Sequence, residues 1–138
     1  LGNVDYDIWA EVMRVNVLAP MACVDALIDS VAASERKQIV MMSSRMGSID
    51  DNTSGGSYPY RSSKAAVNMV VKSLSLDLAP RGIACVLLHP GWVRTDMGGS
   101  SGKLTPAESI GAMRKLIAKL GPKDSGKFYD YDGTEIPW

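Results

Sequence analysis

Gln38-Ile39-Val40-Met41-Met42-Ser43-Ser44 is the stretch that decides the fold. Four consecutive apolar residues behind Gln38 leave no polar side for water, the pattern of a strand covered on both faces. Such strands belong to parallel sheets, whose crossover connections lay helices over the sheet. The flanking sequence supplies those helices. Upstream, Asp5 is a candidate N-cap for a helix running to about Ser34, with Ile8, Val12, Val15, Leu18, Ala22 and Ile28 on one apolar face. Downstream, Arg45 to Tyr58 reads as loop, broken by Gly47, Asp50, Asp51, Asn52, Gly55 and Gly56. A second helix is predicted from about Tyr60 to Leu78, ended by Pro80 and Gly82. Ile83 to Leu88 repeats the buried-strand pattern, and Pro90-Gly91 stops it. Gly98 to Lys103 is rich in Gly and Ser and reads as a mobile loop, a candidate lid. Thr105-Pro106-Ala107-Glu108 has the form of a capping box with Pro at the first helical position, opening a third helix that ends near Gly121. Phe128 to Tyr131 is the last predicted strand, followed by an Asp132-Gly133 turn.

Helix, strand, helix, strand, helix, strand is the order of an α/β fold with a parallel sheet and helices on both faces. The 138 residues suit one domain, 1–138, with 46% hydrophobic side chains. Three strands are few for a doubly wound sheet, and no Gly-x-Gly-x-x-Gly occurs in the chain. At ~30 residues per βαβ unit, roughly the first hundred residues of a complete fold, with the glycine-rich loop, are expected to be missing upstream of Leu1. Fifteen basic and fifteen acidic residues give zero net charge, which supplies no electrostatic pull toward nucleic acid. Runs such as Ile39 to Met42 are far shorter than the ~20 residues of a membrane span, so no membrane is expected. Cys23 and Cys85 form no ligand set and read as reduced thiols, in keeping with a cytoplasmic protein.

The chemistry gathers at the strand ends and at the second helix. Tyr60-Arg61-Ser62-Ser63-Lys64 sets a phenol and an ammonium one helical turn apart on one face. A free phenol holds its proton too tightly to exchange it at neutral pH, and a neighbouring ammonium favours the deprotonated form. Ser43 and Ser44 end the first strand, at the edge where open α/β sheets bind ligands. A hydroxyl there donates to a carbonyl oxygen that gains negative charge, while both serines equally suit the start of a turn. Asn16 lies inside the first helix, and Pro20 four residues later cannot give its carbonyl the usual helical N–H. That carbonyl is either a kink solvating itself or a holder for a relay water. Pro90-Gly91-Trp92-Val93-Arg94-Thr95 follows the second strand at the same edge, where Gly91 permits close approach of a flat ring and Thr95 offers a hydroxyl. His89, the one histidine, reads as a structural strand-end residue; Trp9, Trp92 and Trp138 read as core or interface anchors.

Together these residues resemble the short-chain dehydrogenase/reductase family, with Asn16, Ser44, Tyr60, Lys64, Pro90-Gly91 and Thr95 in that family's order. The branch most similar is the C-factor/sniffer-type carbonyl reductases, through Ser43-Ser44-Arg45-Met46-Gly47-Ser48-Ile49, Tyr60 to Asn68, and His89 to Gly99. The resemblance covers essentially the whole chain and implies the C-terminal part of a doubly wound, Rossmann-type sheet. It implies an oxidoreductase moving a hydride between NADP(H), or alternatively NAD(H), and an aldehyde, ketone or quinone. Tyr60 is then the general acid/base, Lys64 eases its proton loss and holds the nicotinamide ribose, Ser44 orients the carbonyl, and Asn16 holds the relay water. Asn16, Tyr60, Lys64, Pro90, Gly91, Val93 and Thr95 are the implied cofactor contacts, with Thr95 near the carboxamide. The resemblance also implies a homodimer through the helices starting near Asp5 and Tyr60. Two other readings remain: a non-catalytic signalling protein on the same fold, and an inactive fragment with little dinucleotide affinity.

Overall fold

The computed structural model describes residues 2–138. Three parallel strands, β1 (Gln38–Met42), β2 (Ala84–His89) and β3 (Phe128–Asp130), form one sheet in the order β1-β2-β3. The register pairs Gln38 with Ala84 and Met42 with Leu88, and then Leu87 with Phe128 and His89 with Asp130. β2, the middle strand, is buried on both faces, as its unbroken apolar run predicts.

Alternation along the strands divides the core into two layers. Ile39, Met41, Cys85 and Leu87 face one way, against Val67, Val71 and Leu74 of the helix α3 (Tyr58–Asp77). Val86 and Leu88 face the other way, against Met113 of the helix α4 (Pro106–Ile117) and Leu120 just beyond it. The first layer is larger because a second helical rod also lies on it, contributing Val24, Ile28 and Val31.

That rod is the first predicted helix, and it is interrupted. It consists of α1 (Tyr6–Met13), a π-helical turn (Arg14–Leu18) and α2 (Ala19–Ala33). Asp5 caps it as expected, accepting from the backbone N–H groups of Asp7 and Ile8. Ala19 N–H reaches back to the carbonyl of Arg14, five residues earlier. The extra residue in the turn accommodates Pro20, which lacks an N–H to continue the regular ladder. The whole rod, Tyr6–Ala33, is long and apolar enough by length and composition to cross a membrane, and only 6% of its most apolar window is buried. The short strand runs carried no such signal. Part of this apolar surface has another use, in the packing of Val24, Ile28 and Val31 on the sheet.

Other boundaries moved, among them the end of the third helix, at Ile117 rather than near Gly121. α3 begins at Tyr58 rather than Tyr60, because Ser57 adopts a left-handed conformation (φ 48°) that turns the chain into the helix and Pro59 fits the first turn. The loop predicted from Arg45 contains a 3-10 turn, Arg45–Gly47, wound against α3. The capping box of α4 is present, with Thr105 Oγ1 accepting from Glu108 N–H and Glu108 Oε2 accepting from Thr105 N–H at 2.7 Å.

Candidate active site

Ser44, Tyr60, Pro90, Gly91, Val93 and Thr95 line a single cavity of about 960 Å³ at the C-terminal ends of β1 and β2. This is the edge where open parallel sheets bind ligands, because successive loops leave the sheet there without closing over it. Tyr60 comes from the first turn of α3, and Ser44, two residues after β1, caps the start of the 3-10 turn. Ser44 Oγ accepts from Met46 N–H at 3.2 Å, which leaves its own proton free to donate.

The neighbouring serine is used differently. Ser43 is buried, donates its hydroxyl to Asn68 Oδ1 of α3, and hydrogen-bonds through its backbone N–H to the Leu88 carbonyl at 2.8 Å. Asn68 in turn donates to the Gly47 carbonyl at 3.3 Å. Ser43 therefore ties strand, helix and turn together, and its proton is already committed.

Lys64 and Asn16 lie just behind this wall, in an adjoining groove between the π-helical turn and β1. Lys64 Nζ is 5.7 Å from the Tyr60 ring centroid and donates to the Met42 carbonyl at 3.3 Å. Burial pushes the Lys64 ammonium below the usual lysine range. Asn16 sits inside the π-helical turn, and its side-chain amide donates to Ser63 Oγ at 3.0 Å. Ser63 Oγ donates onward to the Tyr60 carbonyl at 2.8 Å. The side chain of Asn16 is thus a strut onto the turn of α3 that carries Tyr60 and Lys64.

Gly91 has a φ of +81°, and a Cβ there would meet Leu104 Cδ1 at 2.6 Å and Tyr131 Cδ1 at 2.8 Å. The positive φ already favours glycine here, and both neighbouring side chains would have to shift to admit a Cβ. The loop beyond it is also better anchored than its glycines implied. Arg94 N–H donates to the Leu104 carbonyl at 2.9 Å, and Leu104 N–H to the Trp92 carbonyl at 3.1 Å. The indole of Trp92 donates to the Gly98 carbonyl at 2.7 Å, and Gly98 N–H donates to Thr95 Oγ1 at 3.1 Å. Gly102 is needed for closeness, since a Cβ there would lie 2.5 Å from Arg94 N.

Several lining residues carried no readable signal in the sequence. Trp92, Met42, Met46, Met97, Ile110 and Met113 make the cavity wall largely apolar. Methionine and tryptophan look alike in core and pocket, so only the fold assigns them. Trp92 is half-exposed on this wall, Trp138 is 40% exposed, and Trp9 is partly buried, so none of the three belongs to the buried core. Trp9 stacks with Tyr6 and Tyr58 and donates to Ser62 Oγ at 2.8 Å, while Trp138 packs on Phe128. His89 ends β2 as expected and also lines the cavity; burial holds its imidazole below the ordinary histidine range, and its Nδ1 has no hydrogen-bond partner among the described residues. Arg45 completes the wall, bridging Asp51 at 3.0 Å and Asp130 at 2.8 Å.

The parallel sheet and its connections agree with the comparisons. The family model for the short chain dehydrogenase matches residues 2–104. The chain belongs to the short-chain dehydrogenase family. C-signal of Myxococcus xanthus is 46% identical over 138 residues, covering all of this chain and 83% of that protein. Carbonyl reductase Sniffer of D. melanogaster superposes with a TM-score of 0.95 at 40% identity, and the NADPH-bound carbonyl reductase from chicken fatty liver with 0.92 at 35%. This chain is covered completely in both superpositions and spans 60% of each of those two structures. The sheet is therefore the C-terminal part of a Rossmann-type fold. Among the described residues no cluster of His, Cys, Asp or Glu is arranged to hold a metal.

Proposed function

We propose that this chain, as a single domain, is the catalytic part of an NADP(H)-dependent reductase that interconverts small carbonyl compounds and alcohols. The observation that carries the reading is the convergence of the Tyr60 and Ser44 side chains on one apolar cavity, with Lys64 directly behind Tyr60. A nicotinamide fits this site chemically. The lining offers apolar faces for a flat ring in Pro90, Gly91 and Val93, and a hydroxyl for the carboxamide in Thr95. Lys64 and Asn16 in the adjoining groove complete the contacts, Lys64 toward the ribose. When bound, the dinucleotide supplies or accepts the hydride.

The residues of the chain handle the oxygen and its proton. Ser44 donates its free hydroxyl hydrogen to the substrate carbonyl and fixes its direction. Tyr60 gives its phenolic proton to that oxygen as negative charge builds there, and takes it back in the oxidative direction. Lys64 places a positive charge beside the phenol, and its partial burial strengthens that field by reducing the screening from water. The carbonyl of Asn16, denied a partner by Pro20, holds a water that returns protons to Lys64. The apolar wall excludes bulk water from the reacting carbon.

Support for NADP(H) over NAD(H) comes from the similar NADPH-bound carbonyl reductase from chicken fatty liver and the NADP complex of a carbonyl reductase from Pseudomonas aeruginosa. The outward apolar residues Ile8, Val15 and Leu18 of the first rod and Met69 and Leu76 of α3 support a homodimer through these helices. Free thiols at Cys23 and Cys85 accord with a cytoplasmic location. A second reading, a signalling role without turnover, is favoured by the likeness to C-signal. The two separate on Tyr60→Phe in the protein that carries this chain. Loss of one oxygen leaves packing intact but should lower NADPH oxidation with a simple ketone by about 10²- to 10⁴-fold. Unchanged turnover in Tyr60→Phe refutes the assignment, and absence of turnover in the native protein favours signalling.

A further inference from the structure

Arg45 is the one permanently charged residue in the cavity lining. A guanidinium beside a carbonyl-binding site ordinarily attracts carboxylates, as it does when it clamps a 2-oxo acid by its acid group. Here two of its five N–H donors are already bonded to carboxylates. Nη1 lies 3.0 Å from Asp51 Oδ2 and Nη2 lies 2.8 Å from Asp130 Oδ2. The two carboxylates come from different directions, Asp51 from the loop after the 3-10 turn and Asp130 from β3, so together they hold the guanidinium on two sides. One cation and two anions give the cluster a net negative charge, with Arg45 its member on the cavity lining. The other ionisable groups of the lining, Tyr60 and His89, do not offset it, because the buried imidazole favours its neutral form. Lys64 lies behind Tyr60 in the adjoining groove, with its ammonium bonded to the Met42 carbonyl.

We propose that the Asp51–Arg45–Asp130 cluster is a specificity determinant that restricts the cavity to carbonyl substrates without a carboxylate next to the carbonyl. This rests on the reductase reading above and narrows it to uncharged aldehydes and ketones. Arg45 closes the wall, and its two carboxylates offset its attraction for an anion. The apolar surface of Met42, Met46, Trp92 and Met113 then accounts for most of what the substrate touches.

The test uses one ketone in two charge states, phenylglyoxylate and its methyl ester, with the protein that carries this chain. The native protein is expected to reduce the ester and to discriminate strongly against the acid. In Asp51→Asn/Asp130→Asn the amide oxygens still accept from Arg45, while two negative charges are gone. The kcat/KM for the acid should then rise roughly fivefold, the upper scale for one half-exposed charge pair, with the ester unchanged. Adding Arg45→Met to that variant should abolish the gain. Calorimetric binding of mandelate and methyl mandelate supplies a second readout that needs no turnover. Binding that prefers the ester in the native protein and loses the preference in the variant upholds the proposal even if no ketone is reduced, an outcome that defeats only the reductase reading. Equal handling of acid and ester by the native protein, or an acid-to-ester ratio unmoved by the double substitution, overturns it. Asp51→Asn alone, on an exposed loop, gives the same readout if the double variant does not fold.

Discussion

Gly47→Ala tests the junction on which the site is built. Gly47 lies in the 3-10 turn just after Ser44, and its backbone conformation is one that alanine adopts without strain, so any effect comes from space alone. A Cβ at this position would sit 2.7 Å from Lys64 Cβ and 2.8 Å from the Lys64 carbonyl carbon. Ordinary contact begins near 3.4 Å, so turn and helix must part by about 0.7 Å. The atoms in the way, Lys64 Cβ and the backbone it is fixed to, cannot swing aside as the end of a flexible side chain can. Overpacking of this kind costs about 1–3 kcal/mol, which for a domain of this size lowers the melting temperature by roughly 3–10 °C. The displacement also separates Ser44 from Tyr60, since one rides on the turn and the other on the helix. Misplacement approaching an ångström lowers turnover by about 10- to 100-fold. Thermal melting followed by circular dichroism, together with kcat for an uncharged ketone, checks both figures. A variant that melts within about 1 °C of the native protein and turns over normally would show that the close approach does not exist.

Two further outcomes follow from the same geometry. Ser43→Ala leaves Asn68 Oδ1 buried without its donor and should destabilise the protein by about 1–3 kcal/mol, whereas Ser44→Ala should lower kcat by at least about tenfold with a smaller loss of stability; parallel melting and rate measurements on the pair decide which serine does which task, and a kcat loss confined to Ser43→Ala would reverse the assignment. For Lys64, burial depresses the folded-state pKa below the ordinary 10.5 of lysine. Below the depressed value both states are charged and the folded state carries the full desolvation penalty; between that value and 10.5 the unfolded state binds more protons, so stability rises with pH. Lys64→Met should therefore be more stable than the native protein at neutral pH, lose that alkaline rise in denaturant titrations, and lose turnover. A variant less stable at pH 7 would mean that the Lys64 ammonium is held by more than the Met42 carbonyl.

The sequence alone determined the elements and their order, because their causes are local. An apolar run too short for a helix, a capping box at Thr105, and Pro and Gly at the ends of segments each act within a few residues. The phenol–ammonium spacing of Tyr60 and Lys64 is equally local, since both sit on one helix. The interruption at Asn16 was half legible: Pro20 announced a lost hydrogen bond, but the π-helical turn that absorbs it shows only in the backbone. What the tertiary structure decided lies between elements. It put Ser43 against Asn68 and left Ser44 facing the cavity, a distinction that two adjacent serines cannot carry in one dimension. It set Leu104 and Tyr131 against Gly91, placed Trp92 in the cavity wall, and brought Asp130 to Arg45 across 85 residues of chain. Side-chain chemistry is written in the sequence, while the charge, access and partners of each group depend on which distant residue packing brings within hydrogen-bond reach.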